Sequence, residues 1–215
     1  VIRGVIALLC AVPAEERMLR GLAGPGVRVV VTGMGAVPAE RHAAAAIADG
    51  VVATISVGFC GALDPTLGLG DVVIPERVID AITGETFACD AALSRGAGTP
   101  RGTLLTTLHL VSDPSMRASL DGLAVDMESA GAARACAAAG IPFAAIRAVT
   151  DRAGDVLPRL DGLVDDAGRV HRGRMARRLV THPNEIAAWA RLARGASAAR
   201  RGLVPAITAA LAGAA

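Results

Sequence analysis

VRVVVTGMGAVPAERHAAAAIADGVVATISVGFCGAL (27–63) reads as strand, turn, helix, strand and turn in succession. β-Branched residues fill 27–31 and recur from Val51, the composition that suits a pleated surface. The Ala-rich run between them closes at Gly50, where a glycine commonly ends a helix. Both apolar runs finish in glycine turns, Gly33 with Gly35 and Gly58 with Gly61. Upstream, VIRGVIALLC (1–10) is a third apolar run. It leads to Pro13 at an early helical position, with Glu15 and Glu16 in the first turn. Three strand–turn units joined by helices predict an α/β sheet containing parallel strands.

Further on, GDVVIPERVID (70–80) reads as one strand, and GETFA (84–88) and RGTLLTTLHLV (101–111) as the next two. SDPSMRASL (112–120) offers an Asp-Pro helix start. GLAVDMES (122–129) takes a short strand into an Ala-rich helix ended by Gly140, and IPFAAIRAVTD (141–151) is a last strand. The pattern beyond it is helical, and the run from Gly202 is broken by Pro205. No internal repeat or low-complexity linker appears, so core and tail are expected to form one unit.

The 215 residues suit a single domain with a full core. That core is built from Val, Ile, Leu and Ala, since aromatics make up only 2% of the chain. A formal net charge of +2 is too small to imply nucleic-acid binding. The charge is unevenly spread: eleven Arg stand against five acids between Arg152 and Arg201. A solvated helical face explains such a run, and so does a surface that meets anionic lipid or phosphate. No apolar stretch reaches the ~20 residues of a membrane-spanning helix. Cys10, Cys60, Cys89 and Cys136 have neither CxxC nor metal-ligand spacing, and no secretory signal is evident. A cytoplasmic location is therefore expected, with the tail as a candidate for contact with the inner face of the membrane.

Glycine turns at strand ends expose backbone N–H groups where α/β sheets bind ligands, and ligand-free connections use them as well. Glu15 could act as a base or simply favour a helix N-terminus. Asp126 and Glu128 stand where a helix-capping role is the ordinary explanation. Asp151, beside Thr150 at a strand end, is the better candidate for acid chemistry, although turn Asp residues are common.

Order and spacing carry more than the separate motifs. VGFCGALDPTLGLGDVVIP (57–75), VDMES (125–129) and PFAAIRAVTDRAGD (142–155) together resemble the nucleoside phosphorylase and methylthioadenosine/adenosylhomocysteine nucleosidase family. The resemblance implies a three-layer α/β fold, with a twisted mixed central sheet flanked by helices and a helical C-terminal tail. It divides the chain into a catalytic core over 1–155 and a helical extension over 156–215 packed on the same domain. It implies that Glu128 takes the ribose hydroxyls, that Met127 lies on the sugar, and that Gly58, Phe59, Cys60 and Thr150 wall the base. Asp151 would protonate the purine at N7, which calls for a carboxyl kept partly protonated in a dry pocket. Glu15 aligns with the water-activating glutamate of the hydrolytic relatives.

For phosphorolysis the pattern departs from the family. Ser56 stands where an Arg holds phosphate and Phe59 where a Ser does, leaving Gly33, Gly35 and Arg41, with Arg17 and Arg20, as substitutes. The tail VLPRLDGLVDDAGRV (156–170) with THPNEIAAWARLARGASAARRGL (181–203) resembles the hopanoid-associated phosphorylase branch. That branch implies phosphorolytic release of adenine from adenosylhopane, a lipid-linked purine nucleoside. Hydrolysis of the nucleosidase type and a non-catalytic nucleoside-binding module are the alternatives. A dinucleotide-dependent oxidoreductase is set aside, because CAVPAEER (10–17) replaces a GxGxxG after the first strand. The family implies no metal and no cofactor beyond phosphate as co-substrate, and it implies a homo-oligomer.

Overall fold

The first strand, β1 (Val5–Cys10), is buried almost throughout, as a strand covered on both faces must be. It pairs in parallel with β2 (Val27–Val31) and β3 (Val51–Ala62). The computed structural model describes residues 2–99, 101–158, 171–182 and 185–214. Most of the tail motif over 156–170 therefore lies outside the described residues. The helices α1 (Pro13–Leu19) and α2 (Ala36–Ala48) join the first three strands, with Pro13 in the first turn of α1. There follow β4 (Val72–Val73), β5 (Arg77–Asp80), β6 (Thr86–Ala88), β7 (Thr103–Thr106), α3 (Pro114–Ala118), β8 (Ala124–Asp126), α4 (Ser129–Ala139), β9 (Phe143–Asp151), α5 (Arg172–Thr181) and α6 (Ile186–Ala214).

Among the described residues these strands form one mixed sheet of nine, in the order β2-β1-β3-β8-β7-β5-β6, with β9 lying along β3 and β4. The sheet branches at the end of β3. Gly61 pairs with Val125 of β8 on an antiparallel ladder and with Asp151 of β9 on a parallel one. In the β3–β9 ladder Cys60 faces Val149 and Gly61 faces Asp151, so Thr150 is the extra residue of a bulge. The branch and the bulge bring VDMES and the end of IRAVTD to opposite sides of one strand end.

Period-two alternation sorts the core into two layers. Ala7 and Leu9 of β1 join α2 and α4 on one face, whereas Ile6, Leu8 and Cys10 join Leu203, Ile207 and Ala210 of α6 on the other. The layered architecture is the mixed α/β fold that the resemblance implies. α6 approaches so closely that a Cβ on Gly195 would lie under van der Waals distance from the Thr150 carbonyl. The tail thus buttresses the bulge that carries Asp151.

Three expectations are corrected. Residues 70–80 form two strands, β4 and β5, rather than one, since Pro75 cannot donate to a ladder. Gly58 and Gly61 lie inside β3 and not in a turn after it. Pro205 does not break the last helix. It sits on the exposed side of α6, whose Leu203, Ala206, Ile207 and Ala210 stay buried, so packing offsets the hydrogen bond that proline omits.

Candidate active site

The carboxyl ends of β1, β2, β3, β8 and β9 meet around a cavity of about 260 Å³, the usual ligand position in an α/β sheet. Ala11, Met34, Phe59, Asp151 and the pair Met127 and Glu128 bring five different segments to its wall. A larger crevice of about 370 Å³ between β6 and α4 holds one carboxylate, Asp90. That side chain is occupied in capping residue 92, so the crevice offers no comparable chemistry.

One end of the cavity is built on Arg147, a charged residue in the middle of β9 and fully buried there. Its Nη2 lies 2.6 Å from Asp126 Oδ2 and donates to Ser56 Oγ at 2.7 Å and Ser129 Oγ at 2.9 Å. Its Nη1 is 3.9 Å from Glu128 Oε2. Gly58 explains how the guanidinium fits. A Cβ there would be 2.6 Å from Arg147 Nη1 and 2.7 Å from Glu15 Oε1, so this glycine keeps space beneath the cavity rather than walling it.

The three neighbouring carboxylates divide their tasks. Asp126 caps α4 through Ser129 N at 3.1 Å and accepts from Thr106 Oγ1 at 2.6 Å. Glu128 occupies the N-cap position of α4 but makes no cap bond with its side chain. Its Oε1 instead accepts from Gly35 N at 3.0 Å, so helix capping, its ordinary explanation, belongs to Asp126. Glu15 accepts from Ala11 N at 2.8 Å, Val12 N at 3.2 Å and Phe59 N at 3.2 Å. Burial pushes the Glu15 carboxyl up from its ordinary value, against the pull of Arg147 and those N–H groups. Burial pushes Glu128 up to about 7, with Arg147 opposing and Asp126 adding to the rise. Both glutamates are thus poised to hold a proton, while one cation serves three acids.

At the other end Asp151 Oδ1 accepts from Thr150 Oγ1 at 2.7 Å. Its Oδ2 lies 2.5 Å from Nη2 of the buried Arg117. Asp151 is buried, as the reading of a proton donor in a dry pocket implies, but a buried cation stands beside it. Cys60 lines the cavity with its thiol pushed up by burial, an apolar wall rather than a nucleophile. Phe59, Thr150 and Met127 line it as well.

Gly33 and Gly35 shape the turn beside Met34 with φ of 82° and 95°. The N–H of Gly35 is taken by Glu128 and is not free for phosphate. Arg41 is exposed on α2, Arg17 and Arg20 are exposed on and beside α1, and none of the three lines the cavity. The structure does not bring them to the site. Among the described residues no group of His, Cys, Asp and Glu has the arrangement of a metal site.

The family model of the phosphorylase superfamily matches residues 8–103 and 85–181. The 5'-methylthioadenosine/S-adenosylhomocysteine nucleosidase of Mycobacterium bovis is 27% identical over 219 residues, covering 69% of this chain and 86% of its own. The solved nucleosidase of that name from Neisseria meningitidis, in complex with methylthio-immucillin-A, superposes with a TM-score of 0.72 at 20% identity, covering 97% of this chain and 99% of its own. Futalosine hydrolase of Helicobacter pylori reaches 0.61 at 16% identity over 70% of this chain and 89% of its own.

Proposed function

The chain belongs to the phosphorylase superfamily, and from that premise we propose that it is an enzyme cleaving the N-glycosidic bond of a purine nucleoside by hydrolysis, with release of adenine. The observation that carries the reading is the pairing of two ends in one cavity. The Glu15, Glu128 and Arg147 cluster stands at one end and Asp151 at the other. Glu128 accepts the ribose hydroxyls and supports the positive charge that develops on the sugar. Asp151 delivers a proton to the departing base. Glu15 accepts a proton from the attacking water. Hydrolysis is preferred over phosphorolysis because the arginines considered for phosphate lie outside the cavity, whereas carboxylates, which repel phosphate, face it.

The deciding assay is adenine release with and without inorganic phosphate. Equal rates and free ribose are expected; release that requires phosphate and yields a ribose 1-phosphate would overturn the hydrolytic assignment. A second expectation concerns pH. Because Glu128 titrates near 7 and accepts hydroxyl donors best as a carboxylate, kcat/KM should rise across neutrality. Glu128→Gln should flatten that limb and lower the rate. A limb unchanged in the variant would assign it to another group.

One observation favours a lipid-linked substrate such as adenosylhopane. Leu108, Leu110, Met116 and Val156 are 42–60% exposed. Leu110 lines the cavity, Met116 adjoins Arg117, and Leu157 N donates to Ser112 O at 3.4 Å, which sets Val156 beside the same segment. An apolar rim of this kind suits a hydrocarbon carried outside a nucleoside-sized cavity. Comparing adenosine with an apolar-substituted adenosine in the same assay tests it. Among the described residues no helix is long and apolar enough to cross a membrane. The exposed Arg191, Arg194 and Arg200 of α6 support contact with an anionic surface instead.

A further inference from the structure

Arg117 is the one arginine lining the cavity among the described residues. The sequence marks it as nothing more than a residue following an Asp-Pro helix start, yet it is 1% exposed. Its Nε donates to the Val111 carbonyl at 2.8 Å and its Nη1 to the Arg152 carbonyl at 2.9 Å. Two main-chain acceptors on different segments fix the plane of the guanidinium before any acid is considered. Nη2 then lies 2.5 Å from Asp151 Oδ2, an ion pair lacking hydrogen-bond geometry. The third wall of this corner is Gly61, where a Cβ would stand 2.8 Å from Asp151 Oδ2 and 3.3 Å from Arg117 Nη2. Three segments thus converge to hold one cation against one oxygen, and the Thr150 hydroxyl holds the other oxygen.

We propose that Arg117 is a positioning residue that acts through Asp151, stabilising the carboxylate that remains once the proton has passed to the leaving purine. The inference rests on the reading of the site as nucleoside-cleaving. In the step, the bond between the anomeric carbon and the base nitrogen breaks and its electron pair stays with the purine. The proton of the Asp151 carboxyl moves to a ring nitrogen of that purine, and the carboxylate left behind pairs with Arg117. Solvent returns the proton to Asp151 between turnovers. A preorganised guanidinium at the atom where negative charge appears lowers the barrier without reorganising.

The test compares an adenine nucleoside with p-nitrophenyl ribofuranoside, whose leaving group departs without a proton. Arg117→Met is expected to lower kcat on the adenine nucleoside about 100-fold, with KM and the p-nitrophenyl rate changed less than about threefold. In an Asp151→Asn background the same replacement should cost less than about a further threefold, because the two residues act as one unit. Equal losses on both substrates, or losses that multiply in the double variant, overturn the proposal. Should Arg117→Met fail to fold, Arg117→Lys decides: a kcat loss confined to the adenine nucleoside supports the role, and an equal loss or no loss overturns it. A wild-type protein inactive on both substrates would instead remove the nucleoside reading on which the inference stands.

Discussion

Turnover on an adenine nucleoside is expected to fall about a thousandfold when Asp151 is replaced by asparagine, the loss of a general acid. Asparagine keeps the shape and one acceptor for Thr150 Oγ1, so substrate positioning should survive and the fall should appear in kcat more than in KM. The sequence alone predicts an intact fold for this variant. The structure revises that expectation, because Asp151 is the ionic partner of a guanidinium that is itself buried. Removing one member of a buried pair leaves an uncompensated charge, and about 3 kcal/mol of destabilisation is expected. The two carbonyls of Val111 and Arg152 still bind Arg117 and should keep the chain folded. Steady-state kinetics alongside urea unfolding separates the two effects. Turnover within tenfold of wild type would assign the proton to another group.

Asp151 and Glu128 were legible because strand-end and helix-start acids in a fixed order form a pattern that one sequence can display. Their supports were not. Arg147 left one signal, a lone charge in the otherwise apolar run FAAIRAVTD, every residue of which is buried. An arginine there must find acids, and Asp126 with Glu128 stood in a neighbouring motif. Arg117 left no signal: SDPSMRASL reads as an Asp-Pro helix start, and only the tertiary fold carries its guanidinium to Asp151. Gly58 misled for a related reason. Glycine marks a turn or an absent side chain equally well, and here it clears room for Arg147 and Glu15. Pro205 misled because local propensity was set against a helix whose apolar face docks on the sheet. The alternation of strands and helices could be read because it follows from residue periodicity. The site's charge balance depends on contacts between segments more than 90 residues apart, such as Arg147 with Ser56.

Arg147→Met tests that charge balance directly, and its effect should depend on pH. Arg147 has to satisfy Asp126, Glu128 and Glu15 within a volume almost closed to water. Without it the carboxylates face one another, and Ser56 and Ser129 lose a donor. A loss of about 3–5 kcal/mol is expected near pH 8, the range for stripping a buried ion of its partner. The sign of the pH effect follows from the direction of the shifts. The folded protein holds a proton on Glu128 up to about pH 7, above the ordinary 4.5, and Glu15 is shifted the same way. The unfolded chain releases these protons earlier, so folding stability falls as pH rises through that interval. In the variant the same glutamates ionise with no cation beside them, and the fall should be steeper. Near pH 5 Glu128 remains protonated, part of the unpaired charge is gone, and the destabilisation should shrink. Urea unfolding of wild type and variant at the two pH values measures the difference. A loss of the same size at both would mean that Arg147 stabilises the fold through packing of its side chain, and that the acids around it do not depend on its charge.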